Sequence, residues 1–170
     1  DCHSSRNSTN LGCAGAVNER VNSTTGEDVV LIDPDCIFQH HSVAGLKLEM
    51  QHEGCGAVGG LVLGFDGREK AGCWRRDPTF SRSVVKLLGK LGVRFGLMGV
   101  DLTTEALPES PIQVDAVSGA FMMIRRESFD AIGGMDEGYF LHFEDIDLCR
   151  RLRNAGTVPY TTLTVPPELH

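Results

Sequence analysis

Val29-Val30-Leu31-Ile32-Asp33-Pro34-Asp35 is the stretch whose reading sets the fold. Its apolar run, mostly β-branched, predicts a short strand buried on both faces. The run stops at two carboxylates separated by a proline. In open α/β sheets, ligands gather at the carboxyl ends of the strands. Residues i and i+2 of an extended segment point the same way, so Asp33 and Asp35 can face one cation, and Pro34 stiffens their presentation. Hard oxygen donors of this kind suit Mg²⁺ or Mn²⁺ bridging a diphosphate. A polar turn after a strand uses the same residue types with no metal involved. Spacing alone leaves both readings open.

Upstream of this strand, residues 10–22 carry Ala14, Val17 and Val21 at helical spacing, with Gly26 as a stop. Downstream, a second helix is expected from about Ser42, with Val43, Leu46 and Met50 on one face and Gly54 at its end. Residues 57–63 read as a strand, and Asp66-Gly67 as a hairpin turn returning through 70–74. A short helix is expected over 84–91, then a loop over 92–110. Two further strands are predicted over 112–117 and 120–124, broken at Ser118-Gly119. A short helix over 127–132 closes on Gly133-Gly134, and another runs over 144–153. Strands alternating with helices argue for an α/β layer fold in a single domain.

Composition narrows the function. The 170 residues fit one domain with a real core, and the formal net charge of -7 comes without a basic stripe. Nucleic-acid binding through phosphates is disfavoured by that balance. An acidic protein handling an anionic substrate needs local compensation, which a divalent cation supplies. The six cysteines form no C-x-x-C pair and are irregularly spaced. They read as thiols in a reducing cytoplasm rather than as a disulfide frame or zinc cluster. No apolar run approaches the ~18 residues of a membrane span. The polar start, Asp1-Cys2-His3-Ser4-Ser5, lacks the buried strand with which an α/β domain usually opens.

A second acidic constellation is Glu144-Asp145-Ile146-Asp147. Acids at a helix start and Arg150, Arg151 and Arg153 further along are what the helix dipole favours with no function implied. The functional reading comes from the company these acids keep. Glycines surround Tyr139-Phe140-Leu141-His142-Phe143, which delivers three acids into one turn. Aromatic walls around a carboxylate limit its solvation and raise its pKa, which suits a general base. His170 is a lone histidine with no meaning of its own.

Taken in order, these pieces resemble the family 2 glycosyltransferases, in particular their bacterial rhamnosyltransferase-like branch. The matching segments are residues 10–18, 29–35 and 114–126. The most specific block runs from Gly133-Gly134-Met135-Asp136-Glu137-Gly138-Tyr139-Phe140 through Glu144-Asp145-Ile146-Asp147-Leu148-Cys149-Arg150-Arg151-Leu152. The resemblance implies a GT-A fold, a Rossmann-like three-layer sandwich with a mixed sheet, binding a nucleotide-diphosphate sugar and an Mn²⁺ or Mg²⁺ ion. It implies that Asp33 and Asp35 form the metal and diphosphate motif, with His170 completing the metal site. Asp145 would be the catalytic base, supported by Glu144 and Asp147, while Ser118, Gly119 and Ala120 would lie beside the sugar. The activity implied is inverting sugar transfer to a saccharide acceptor in polysaccharide biosynthesis. Subfamily likeness points to dTDP-rhamnose as donor. The setting would be the cytoplasm, with a parent enzyme at the inner face of the membrane.

Relatives open with a strand, a helix and a second strand bearing an aspartate for the nucleotide base. Nothing comparable precedes Asn10, so the sequence reads as an N-terminally incomplete domain. Two other readings stay open. Asp33 is also placed like the nucleophile of a haloacid-dehalogenase-type phosphohydrolase, although Cys36 and the Gly133–Glu137 block fit that pattern poorly. The chain can also be read as a non-catalytic sugar-binding remnant.

Overall fold

The computed structural model describes residues 6–37, 41–63, 74–75 and 110–161. The elements are α1 (Gly12–Asn22), β1 (Asp28–Ile32), α2 (Ser42–Glu49), β2 (Cys55–Gly59), β3 (Trp74–Arg75), β4 (Ala116–Val117), β5 (Phe121–Arg125), α3 (Arg126–Ala131), α4 (Glu144–Asn154) and β6 (Val158–Thr161). The main sheet is mixed, in the order β1-β5-β2-β6. β5 runs antiparallel to both β1 and β2, and β6 runs parallel to β2. The pair β3 and β4 forms a separate two-stranded sheet.

Burial follows the period of two along β5. Met122 and Ile124 pack with Ala14 and Val21 of α1, Phe129 of α3, and Ile146, Leu148, Cys149 and Leu152 of α4. Phe121 and Met123 point the other way, onto Leu46 and Met50 of α2. Helices therefore cover both faces, and the predicted three-layer mixed α/β sandwich is the observed architecture. At about 1.5–3 kcal/mol per fully buried large apolar side chain, these two clusters are the main stabilising term.

Register positions the site. Ile32 of β1 pairs with Phe121 of β5, so the outgoing end of β1 lies beside the incoming end of β5. The ladder runs one step further, with the Asp33 N–H donating to the Ala120 carbonyl at 2.9 Å.

Several expected elements are shifted. The strand expected over 57–63 spans Cys55–Gly59. Its last contact is the Gly60 N–H on the Phe121 carbonyl at 2.8 Å, and the Gly59-Gly60 pair offers no side chain to extend the pleat. Over 112–117 the chain bends at Asp115, which splits the expected strand. Residues 112–114 touch β6 through a single bridge, Gln113 to Tyr160, and only Ala116–Val117 forms β4. β6 was not anticipated because Pro159 sits inside it. An edge strand tolerates proline, and the Pro159 carbonyl still accepts the Val114 N–H at 3.1 Å. The hairpin at Asp66-Gly67, the helix over 84–91 and the loop to 109 lie outside the described residues.

Candidate active site

Residues far apart in sequence meet around Ser118-Gly119-Ala120. On one side the Ala120 carbonyl holds the backbone of Asp33. On the other, the Gly119 N–H donates to Asp145 Oδ2 at 3.2 Å, and the Ile146 N–H donates to Asp145 Oδ1 at 2.8 Å. Both carboxylate oxygens are thus oriented by backbone, and Asp145 is only 7% exposed. The Ser118 hydroxyl accepts the Ala120 N–H at 3.3 Å, which tightens the segment between the two acids. Asp145 lies in the first turn of α4 with Glu144 and Asp147, where the helix dipole favours negative charge.

Asp33 and Asp35 do not sit on an extended segment. The Cys36 N–H donates to the Asp33 carbonyl at 3.0 Å, closing a turn across Pro34 and Asp35. Pro34 occupies the position where its fixed φ favours such a turn. Both carboxylates are exposed at the end of β1, so a turn rather than strand alternation presents them.

Cys13 registers how close the acids lie. Its thiol pKa is pushed from 9.0 up to about 11, by burial first and then by the negative charges of Glu144, Asp33 and Asp145. Groups from three sequence-remote segments therefore lie close together around the Cys13 thiol. Sequence reasoning gave Cys13 no role, and its only signal was its place at the start of a helix. Gly12 sets that start: its φ is +73°, and a Cβ there would lie 2.7 Å from the Phe140 carbonyl oxygen. That same oxygen accepts the Cys13 N–H at 3.0 Å.

The aromatic enclosure expected from residues 139–143 is absent. Phe140, Leu141 and Phe143 are 59–62% exposed, and His142 and Phe143 have φ of 69° and 73°. The backbone is left-handed at His142 and Phe143, and the Gly119 and Ile146 N–H groups hold the Asp145 carboxylate. Asp147 is engaged by Arg151 Nε at 2.7 Å. His170 lies outside the described residues.

The donor set fits a hard divalent cation. Among the described residues no three His, Cys, Asp or Glu side chains form a cage. Mg²⁺-like ions are commonly held by one or two carboxylates plus substrate phosphates, which matches the paired acids of the β1 turn. The Glu144 side chain also hydrogen-bonds the Cys13 thiol, which ties the first turn of α4 to the start of α1.

The mixed three-layer sandwich is the GT-A fold. The chain belongs to the glycosyltransferase like family 2, whose model matches residues 3–161. It is 27% identical over 142 residues to the rhamnosyltransferase WbbL of Escherichia coli K12, covering 82% of this chain and 51% of that protein. It is 30% identical over 129 residues to the N-acetylglucosaminyl-diphospho-decaprenol L-rhamnosyltransferase of Mycobacterium tuberculosis, covering 75% of this chain and 42% of the relative. The chain thus spans about half the length of the curated relatives it matches. Among solved structures, GalNAc-T7 with UDP, GalNAc and Mn²⁺ superposes with a TM-score of 0.61 at 16% identity, over 92% of this chain and 30% of the other. The mannosyltransferase PcManGT of Pyrobaculum calidifontis, in complex with GDP-Man and Mn²⁺, gives 0.54 at 18% identity, over 91% of this chain and 35% of the other.

Proposed function

We propose that the protein transfers a sugar from a nucleotide-diphosphate donor to a saccharide acceptor with inversion at the anomeric carbon. The observation that carries this reading is the three-residue segment 118–120, which bonds Asp33 on one side and Asp145 on the other. A donor diphosphate at the β1 turn and an acceptor hydroxyl at Asp145 would then be neighbours, with Ser118, Gly119 and Ala120 beside the sugar between them.

Asp145 takes the proton from the acceptor hydroxyl as that oxygen bonds to the anomeric carbon. The bond from that carbon to the diphosphate oxygen breaks on the opposite face. Two N–H donors fix the Asp145 carboxylate before substrate arrives, so little reorientation is needed during transfer. Glu144, in the same helical turn as Asp145, orients the acceptor, and Asp147 contributes through its pairing with Arg151. Asp35 and Asp33, with His170, would hold Mn²⁺ or Mg²⁺. When bound, that cation neutralises charge on the departing diphosphate.

The names of the rhamnosyltransferase relatives favour a rhamnose donor, which we take as dTDP-rhamnose from the subfamily resemblance, and a prenyl-diphosphate-linked saccharide as acceptor. Such an acceptor places the work at the inner face of a membrane, in the assembly of cell-surface polysaccharide. Among the described residues no helix is long and apolar enough to cross a membrane. A phosphohydrolase using Asp33 and a non-catalytic remnant find no support in the family match or the structural neighbours.

Calorimetry with dTDP-rhamnose tests the reading. Binding should require Mn²⁺ and disappear in Asp35→Ala. Asp145→Asn should keep donor binding and lose about 10²–10⁴-fold in turnover, the usual contribution of a general base. Metal-independent binding, or near-normal turnover by Asp145→Asn, would end this assignment.

A further inference from the structure

Between α3 and α4 the chain makes the turn Gly133–Phe143, and two side chains from different helices grip its beginning. Asn18 of α1 reads both backbone groups of Met135. Its Oδ1 accepts the Met135 N–H at 2.8 Å and its Nδ2 donates to the Met135 carbonyl at 2.9 Å. The same Nδ2 reaches Glu137 Oε1 at 3.0 Å. Arg151 of α4 approaches from the other side. Its Nη1 donates to the carbonyls of Ile132 at 3.0 Å and Gly134 at 2.6 Å, while its Nε holds Asp147 at 2.7 Å.

The far end of the turn is pinned as well, by the Cys13 N–H on the Phe140 carbonyl. Between that pin and α4 lie His142 and Phe143, two consecutive non-glycine residues with positive φ. Backbone strain of this kind persists only where the surroundings over-determine it. The grips on Met135, Gly134 and Phe140 supply that constraint, because they leave the chain no slack before the helix begins. Asp145 is the second residue of that helix.

We propose that Asn18 and Arg151 are positioning residues. By clamping the Gly133–Met135 turn from both sides, they fix the start of α4 and hold the Asp145 carboxylate against the Gly119 N–H. The catalytic meaning of this clamp rests on Asp145 being the base, but the geometric effect does not. Asp147 then serves as the brace of Arg151 rather than as an acceptor contact.

Amide hydrogen exchange on the full chain tests the clamp, comparing the Gly119 and Ile146 amides with Met123 and Ile124 in β5. Asn18→Ala should speed exchange at Gly119 and Ile146 about tenfold while leaving the β5 amides unchanged, as a local opening does. Arg151→Lys keeps a charge for Asp147 but loses the fork to two carbonyls. It should show the same pattern, and it serves where Asn18→Ala fails to fold. In both variants, turnover of dTDP-rhamnose should fall while its KM holds. Unchanged Gly119 protection, or equal acceleration of every core amide, would overturn the proposal. Absence of Mn²⁺-dependent nucleotide-sugar binding by the unaltered protein would instead strike the proposed function and leave the exchange result standing.

Discussion

Cys13 carries the clearest consequence at the scale of single residues. A raised thiol pKa means that the reactive thiolate appears near pH 11 rather than near 9, so alkylation at pH 8 should be slow. Removing a nearby negative charge reverses part of that effect. Glu144→Gln should therefore lower the pH midpoint of Cys13 alkylation, and Asp33→Asn should lower it less. Peptide mapping after timed iodoacetamide treatment reads both. An unmoved midpoint would mean that these acids do not surround the thiol. Gly134 makes a second case: its φ is +78°, and a Cβ would lie 2.6 Å from Asn18 Oδ1. Gly134→Ala should cost at least about 1–2 kcal/mol from the left-handed backbone alone. In denaturant unfolding, its effect should be non-additive with Asn18→Ala, since the two share one contact.

Among the elements, α4 joins the core to the chemistry. Ile146, Leu148, Cys149 and Leu152 are buried against the sheet, while Glu144 and Asp145 face the cleft from its first turn. Leu152→Ala should destabilise by about 2–5 kcal/mol in urea titration, the range for a fully buried leucine. Leu48 of α2 is 63% exposed, and Leu48→Ala should stay within about 0.5 kcal/mol. Equal effects at the two sites would contradict the burial pattern. This helix was legible in the sequence because its apolar positions recur at helical spacing and its acids precede its arginines. The fork of Arg151 onto two carbonyls was not legible. The spacing from Asp147 to Arg151 signals an ion pair along one helix, but it carries no information about a turn packed beside it. β6 was missed for a related reason: Pro159 argues against a strand until the position of that strand at the sheet edge is known.

For the whole molecule, the proposed function ties stability to ligand. A ligand that binds only the folded state at one hundred times its Kd adds about 2.7 kcal/mol. Mn²⁺ with dTDP-rhamnose should therefore raise Tm by roughly 5–10 °C for a chain of this size. EDTA should remove that gain, and differential scanning calorimetry in both conditions decides it. A rise that survives EDTA would separate nucleotide binding from the acids of the β1 turn.

The α/β class, most helices, the strand of Val29–Ile32 and the acids at positions 33, 35, 144 and 145 were written in the sequence. Hydrophobic periodicity and the chemistry of carboxylates are local properties, and they read without a partner. The distance between those acids was not, because antiparallel pairing of β1 with β5 is a long-range choice. Only the folded chain set Asp33 and Asp145 on either side of Ala120 and Gly119, put Cys13 among them, and turned the aromatic side chains of 139–143 outward. Most of those outcomes rest on a backbone N–H reaching a distant carbonyl or carboxylate, and every residue except proline carries that group alike. Residue identity cannot announce them.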